Sequence, residues 1–224
     1  MRRFYAVSAA IDTQSEQIIS CANRMLEKEA NFDEIGEEIV ICIVEMTRIL
    51  NRMYEKCRPK VFYDRIRAYL KGWLNDPQLP DGLTYDLGPN ETRKTMKLAG
   101  GSAAQNPTVQ LLDILLGVKH GEDTDDLMIS GCAGCQRMNY LKAMRTYMPR
   151  EHEEYLNNLE EKFSKIIEKF KKCDSYNSCV MALTNFRSEL NNMLTMYIVR
   201  QSETSRGTGV LVSAMEESSI EGGK

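Results

Sequence analysis

The sequence predicts an all-α fold, a multi-helix bundle, on three observations. Apolar side chains recur every three or four residues over long stretches of the 224-residue chain, as on one face of an amphipathic helix. Capping residues stand where several of these stretches begin. A short strand is predicted only at Leu83-Thr84-Tyr85. Helices of this kind bury their apolar faces against one another, so we expect a bundle.

The first predicted helix covers residues 4–29, which contain neither proline nor glycine. Asn31 and Glu34 have the spacing of a capping box and begin a second helix that ends near Cys57. Pro59 suits the first turn of a third helix. The apolar positions of the second and third helices are Ile35, Ile39, Cys42, Ile43, Met46, Ile49, Leu50, Met53, Phe62, Ile66, Tyr69, Leu70 and Trp73.

Residues 75–106 form the longest irregular segment, and a loop of this length in a compact domain is usually functional or mobile. Asn106-Pro107 then predicts a cap and first turn for another helix. Two further helices follow, one ended by Pro149 and one over residues 151–172 that is charged and mostly solvated. The last helix spans about 175–201, with Tyr176, Cys179, Val180, Leu183, Phe186, Leu190, Met193, Leu194 and Tyr197 on its inward face.

Composition and charge exclude several classes of protein. Hydrophobic residues make up 42% and charged residues 27% of the chain, which excludes a disordered or collagen-like protein. The formal net charge of −3 argues against nucleic acid as a partner. No apolar run approaches about 20 residues, so we expect no membrane partner. Asp12 and Glu16 interrupt the apolar region that a signal peptide requires, and the predicted location is therefore cytoplasmic.

Seven cysteines and two histidines are the soft metal ligands of the chain. An odd number of scattered cysteines without a secretion signal indicates reduced thiols. Cys132 and Cys135 form a CxxC, but a zinc ribbon needs a second pair and a redox motif needs a βα context. We interpret them as free thiols, with redox or metal use as the alternative. His120 and His152 are interpreted as solvated side chains.

Seven segments in order carry a resemblance to a known family. They are Phe62–Trp73, Leu83–Tyr85, Gly100–Gln105, Leu112–Gly117, Met144–Pro149, Phe186–Ser188 with Thr195–Ile198, and Arg206–Gly209. Their order and spacing resemble the large catalytic domain of the indoleamine 2,3-dioxygenase family over most of residues 3–212. The resemblance implies an all-α domain at residues 1–202, followed by a Gly-containing loop and polar tail at 203–224. It also implies haem as cofactor and O₂ insertion into tryptophan or a related indole, which gives N-formylkynurenine.

The resemblance implies a substrate pocket on the distal side of the haem. Phe4, Ser8 and Phe62 match the family's pocket aromatics and pocket serine, and aromatic faces suit a planar indole. Arg67 matches the arginine that pairs with the substrate carboxylate, which a guanidinium fork binds well. The residue pattern alone leaves two alternatives open. Phe4 and Phe62 would be core residues in any bundle, and Arg67 could form a surface ion pair with Asp64.

Two glycine-rich motifs complete the sites that the resemblance implies. Ser102 and Ala103 match a Gly-Gly-Ser-Ala segment beside the haem, with Ser102 also near substrate. Thr208 and Gly209 match the start of a loop that closes over the substrate, where glycine tolerates unusual dihedrals.

The main departure from the family pattern lies on the proximal side of the haem that the resemblance implies. Asp113 is a lone carboxylate among leucines, which is costly unless paired, and the family pairs it with the residue matching Arg187. The family's iron ligand is a histidine three residues after that arginine, and this position is Leu190. Leucine has no lone pair for iron, so no metal ligand is predicted and haem binding is expected to be impaired.

Two further departures concern the ends of the resemblance. Val210-Leu211 replace the Gly-Thr that ends the family's glycine loop. The family carries a small helical domain before the residue matching Arg3, and it covers one side of the pocket. We expect the face that this domain would cover to be a candidate for self-association or for another partner.

Three functional hypotheses follow. The first is a dioxygenase-like protein that is catalytically impaired or inactive because of Leu190. The second is an active haem dioxygenase on tryptophan or indoles with a non-standard ligand, such as a cysteine thiolate or a distant histidine. The third is a ligand-binding or interaction module unrelated to indoles, because fold alone does not determine function.

Overall fold

The computed structural model describes residues 2–70, 72–74, 76–86, 88–89, 92–101, 103–118 and 140–206. These residues form a helical bundle with one two-stranded hairpin, which confirms the predicted all-α class. Within these ranges, no helix combines the length and the apolar character that crossing a membrane requires.

The first predicted helix is two helices, α1 (Arg2–Thr13) and α2 (Ser15–Met25), with a break at Gln14. Side chains on both sides of the break bond to residues nearly a hundred positions later. Asn106 Nδ2 donates to Asp12 Oδ1 over 2.6 Å, and the Ser15 hydroxyl pairs with the Thr108 hydroxyl. These long-range contacts anchor the bend, and helix propensity alone contains no signal for them.

The second predicted helix ends near Cys57 as expected but is interrupted once. It comprises α3 (Phe32–Asn51) and the single turn α4 (Met53–Lys56), which meet at Arg52. The predicted cap is confirmed, because Asn31 accepts a hydrogen bond from the Glu34 amide. Pro59 begins α5 (Pro59–Arg65) as predicted, and α6 (Arg67–Leu70) follows directly.

The irregular segment contains β1 (Leu83–Tyr85), which pairs antiparallel with β2 (Lys94–Met96). A 3₁₀ turn at Ala103–Gln105 precedes α7 (Pro107–Leu116). Asn106 caps α7 by accepting from the Thr108 amide over 2.8 Å, as the sequence predicts. Gly117 ends α7 with a φ of 61°, a left-handed conformation that favours glycine.

The C-terminal half contains α8 (Tyr140–Arg145), α9 (Arg150–Phe170) and α10 (Asp174–Leu194). A π-helix (Thr195–Val199) and α11 (Arg200–Arg206) follow, so the first four residues of the predicted loop and tail are helical. Most of residues 151–172 are exposed, as predicted, and α9 also buries a regular stripe against the core. Its members are Leu156, Leu159, Phe163, Ile167 and Phe170.

The core is organised around α3 and α10, which lie side by side and run in the same direction. The Ser175 amide donates to Asp33 Oδ1 over 3.1 Å near the start of both helices. The Cys179 thiol donates to the Gly36 carbonyl over 3.2 Å one turn further on. The close approach depends on Gly36, because a Cβ there would lie 2.7 Å from the Ser175 Cβ.

We expect Gly36→Ala to destabilise the protein by about 1–3 kcal/mol, because an added methyl group forces α3 and α10 apart. Glu37→Ala on the exposed side of the same helix is the matched control. Denaturant unfolding followed by circular dichroism measures the difference. Equal unfolding midpoints for the two variants would contradict the close contact.

Candidate functional site

Phe4 on α1 and Phe62 on α5 lie against each other, with ring centroids 5.1 Å apart. Phe62 also meets the Tyr197 ring edge-on at 5.6 Å. Phe62 is buried, whereas Phe4 is partly buried at the edge of the core. The two matched aromatics therefore form one aromatic wall together with Tyr197.

Ser8 is exposed on α1, and its hydroxyl donates to the Phe4 carbonyl one turn earlier over 3.1 Å. This is a local bond within the helix, of the kind that serine commonly makes. Ser8 thus lies next to the residue that begins the aromatic wall.

Tyr197 is a residue of this site that sequence reasoning did not single out. Its single hydroxyl proton is shared between the Cys57 carbonyl, at 2.6 Å, and the Met53 carbonyl, at 3.1 Å. Burial raises the pKa of the Tyr197 phenol to about 12, so it remains a hydrogen-bond donor at neutral pH. The signal in the sequence was a polar-tipped aromatic on the apolar stripe of the last helix, where its hydroxyl needs a partner.

Arg67 lies at the start of α6 with its guanidinium carbon 4.8 Å from the centroid of the Tyr63 ring. A cation over an aromatic face is held by the ring's quadrupole. Asp64, the sequence-predicted surface partner of Arg67, forms an ion pair with Lys60 at 3.0 Å. Arg67 is half-buried, and its guanidinium packs against the Tyr63 ring.

The glycine-rich segment, defined here as Gly100, Gly101, Ala103 and Ala104, runs beside α6. The Gly101 amide donates to the Leu70 carbonyl over 2.9 Å, which joins the segment to the helix that carries Arg67. Earlier in the chain, the Trp73 amide donates to the Leu98 carbonyl over 2.7 Å. The structure therefore brings two separately matched motifs together.

Asp113 on α7 and Arg187 on α10 form an ion pair, with Arg187 Nη2 donating to Asp113 Oδ1. Asp113 is only 6% exposed, so the guanidinium compensates a carboxylate that has left water. Leu190 follows Arg187 by almost one turn and packs, partly buried, against the core. A hydrocarbon side chain thus occupies the position that the resemblance assigns to the iron ligand.

The other soft donors among the described residues are His152 and the cysteines. His152 is exposed near the start of α9. Burial raises the pKa of the Cys21 thiol to about 11 and that of Cys179 to about 12, and it raises the pKa of Cys57 in the same direction. Thiolates are therefore disfavoured at neutral pH. Across the described ranges, no group of three or more His, Cys, Asp or Glu side chains is arranged to hold a metal.

Several predicted residues lie outside the part of the chain that the structure describes. The predicted site residues that the structure does describe are Phe4, Ser8, Phe62, Arg67, Ala103, Asp113, Arg187 and Leu190. The residues outside the described ranges are Ser102, His120, Cys132, Cys135, Thr208 and Gly209.

We expect Arg187→Met to destabilise the protein by about 3 kcal/mol, because it leaves the buried Asp113 carboxylate without its cation. The double variant with Asp113→Asn should recover part of this loss, since the amide is neutral. Arg200→Met, an exposed arginine later in the same helical run, is the control. Thermal and denaturant unfolding measure the differences. A double variant no more stable than Arg187→Met would argue against the pair.

Comparison with known proteins identifies the family. The profile of the indoleamine 2,3-dioxygenase family matches residues 1–221. The chain is 32% identical to indoleamine 2,3-dioxygenase of Saccharomyces cerevisiae, over 91% of this chain and 45% of that protein. It is 29% identical to indoleamine 2,3-dioxygenase nanC of Aspergillus nanangensis (93% and 52%), and 30% identical to a protein of Haliotis madaka named myoglobin (75% and 42%).

The chain spans about half the length of these relatives. The match nevertheless covers nearly all of the 224 residues, including the three elements that carry the aromatic wall and the helix that carries Leu190. The chain belongs to the indoleamine 2,3-dioxygenase family.

Proposed function

We propose that this chain is a family member that binds an aromatic amino acid of the tryptophan class but does not catalyse its dioxygenation. The observation that carries the proposal is Leu190. The family's enzymes are haem-dependent, and the resemblance assigns iron ligation to this one position on α10. The residues present there do not fit that role, because a leucine side chain has no lone pair to donate.

The geometry around Leu190 argues against rescue by a small rearrangement. Leu190 packs against the apolar core, and Arg187 on the preceding turn is engaged with Asp113. Cys57, whose carbonyl accepts from Tyr197, is buried with a raised pKa, so a thiolate ligand from it is costly. Haem that enters by apolar burial alone would lack the axial ligand, which is the protein's main control of iron chemistry.

The ligand side of the site supports retained binding. Phe4 and Phe62 supply aromatic faces for a planar ring system. Arg67 supplies a guanidinium for the carboxylate, and the Tyr63 ring limits its motion before any ligand arrives. An aromatic ring system and a carboxylate are two of the groups that a tryptophan-class ligand presents, beside its ammonium group.

A second candidate is an active haem enzyme with a non-standard ligand, and it predicts a defined haem spectrum. A third is a binding module unrelated to indoles. The relative named myoglobin favours the view that this family is not confined to proteins named as dioxygenases. Self-association, a partner protein and a cytoplasmic location stay predictions of the sequence.

We expect the purified chain, titrated with haemin, to lack the sharp Soret band of histidine-ligated haem. Leu190→His should gain that band, because it restores a nitrogen base at the matched position. Ser188→His, which places an imidazole on the exposed face of α10, is the matched control and should gain nothing. A defined ligated spectrum, or N-formylkynurenine formation, by the unaltered chain with haem, O₂ and reductant would refute the proposal.

We expect L-tryptophan to raise the melting temperature of the unaltered chain, because a ligand that binds only the folded state stabilises it. Arg67→Met should lose most of this shift through loss of the carboxylate contact. Arg65→Met, an exposed arginine two residues earlier, should keep it. A shift of equal size in both variants, or with indole lacking a carboxylate, would contradict the role of Arg67.

A further inference from the structure

We infer that Gln110 and Arg145 are positioning residues that fix the backbone of the glycine-rich segment and thereby shape the ligand site. The inference rests on the proposed function for its ligand, but its structural part stands on hydrogen bonds alone. The resemblance assigns no site role to either residue, although Arg145 lies within the matched segment Met144–Pro149. Both are polar side chains inside the bundle, Gln110 on α7 and Arg145 at the end of α8.

Gln110 is 2% exposed and uses both ends of its amide. Its Nε2 donates to the Ala104 carbonyl over 2.7 Å and to the Leu141 carbonyl over 3.0 Å. Its Oε1 accepts from Arg145 Nε over 2.6 Å. The donor of Arg145 therefore fixes the orientation of the amide, since a flipped amide would turn its NH₂ group toward the guanidinium and its oxygen toward two carbonyls.

Arg145 is itself held firmly. It is 6% exposed, and its Nη1 donates to Asn157 Oδ1 over 2.8 Å and to Glu160 Oε2 over 2.7 Å, both on α9. Glu160 is 46% exposed, so its carboxylate stays hydrated while it compensates the buried cation. This network links α9 through Arg145 and Gln110 to Ala104 of the glycine-rich segment.

Other bonds hold the same segment on either side of position 102. Gln105 Nε2 donates to the Gly100 carbonyl over 3.1 Å. The Ala99 amide donates to the Tyr147 hydroxyl over 2.9 Å, and the Gly101 amide donates to the Leu70 carbonyl. Because Leu70 ends the helix that begins with Arg67, a shift of this segment would change its spacing from the guanidinium.

The test uses Gln110→Glu, which keeps the size of the side chain and its acceptor for Arg145. Its ionised carboxylate cannot donate to the Ala104 and Leu141 carbonyls, so the segment loses its anchor. Arg145→Lys is the second variant, because it keeps a positive charge near Glu160 but loses the Nε donor. Glu38→Gln is the control: it weakens the arginine–carboxylate pair of Arg24 and Glu38 between α2 and α3.

Hydrogen exchange followed residue by residue by NMR measures the segment through the Gly101 amide and its flank through the Ala99 amide. We expect both amides to exchange at least about tenfold faster in the two variants, while the amides of α3 keep their rates. Calorimetric titration with L-tryptophan should show an affinity about tenfold lower. The Glu38→Gln control should keep both the exchange rates and the affinity.

Unchanged exchange at Ala99 and Gly101 in both variants would overturn the inference. Faster exchange with wild-type affinity for L-tryptophan would overturn the part that concerns the ligand. If the unaltered chain binds no L-tryptophan, the proposed function fails. The exchange rates then decide the inference by themselves.

Discussion

The parallel contact between α3 and α10 is the constraint on which the rest of the structure depends. Gly36 allows the two helices to approach, and the Cys179 thiol and Ser175 amide fix their register. With that register set, Arg187 meets Asp113, and Tyr197 reaches the Met53 carbonyl at the start of α4. The aromatic wall and the matched iron-ligand position are therefore both consequences of one helix pair.

The two sides of the candidate site differ in which of the family-matched residue types they keep. The side proposed to bind the ligand contains the Phe4 and Phe62 rings, the Arg67 guanidinium beside Tyr63 and the hydrogen-bonded glycine-rich segment. On the proximal side, the Asp113–Arg187 pair is present while the neighbouring turn carries Leu190. The pair has a structural role of its own, because burying the Asp113 carboxylate between α7 and α10 requires a compensating cation. The same reasoning does not require a metal ligand at position 190.

The parts of the fold that the sequence predicts are those with a local physical cause. The caps at Asn31 and Asn106 and the start at Pro59 depend on residues within one turn, and all three are confirmed. The break at Gln14 depends on a contact with the start of α7, which no local pattern contains. In the site, the aromatic stripe could be predicted, whereas the network of Gln110 joins three separate segments and required the fold.

The buried thiols have a practical consequence for this protein. Cys21, Cys42, Cys57 and Cys179 are each at most 7% exposed, and burial keeps them protonated. An alkylating reagent reaches these sulfurs only when the helices around them separate. The rate of alkylation of these four thiols therefore reports how often the helical bundle opens, so the protein contains an internal probe of the opening of its core.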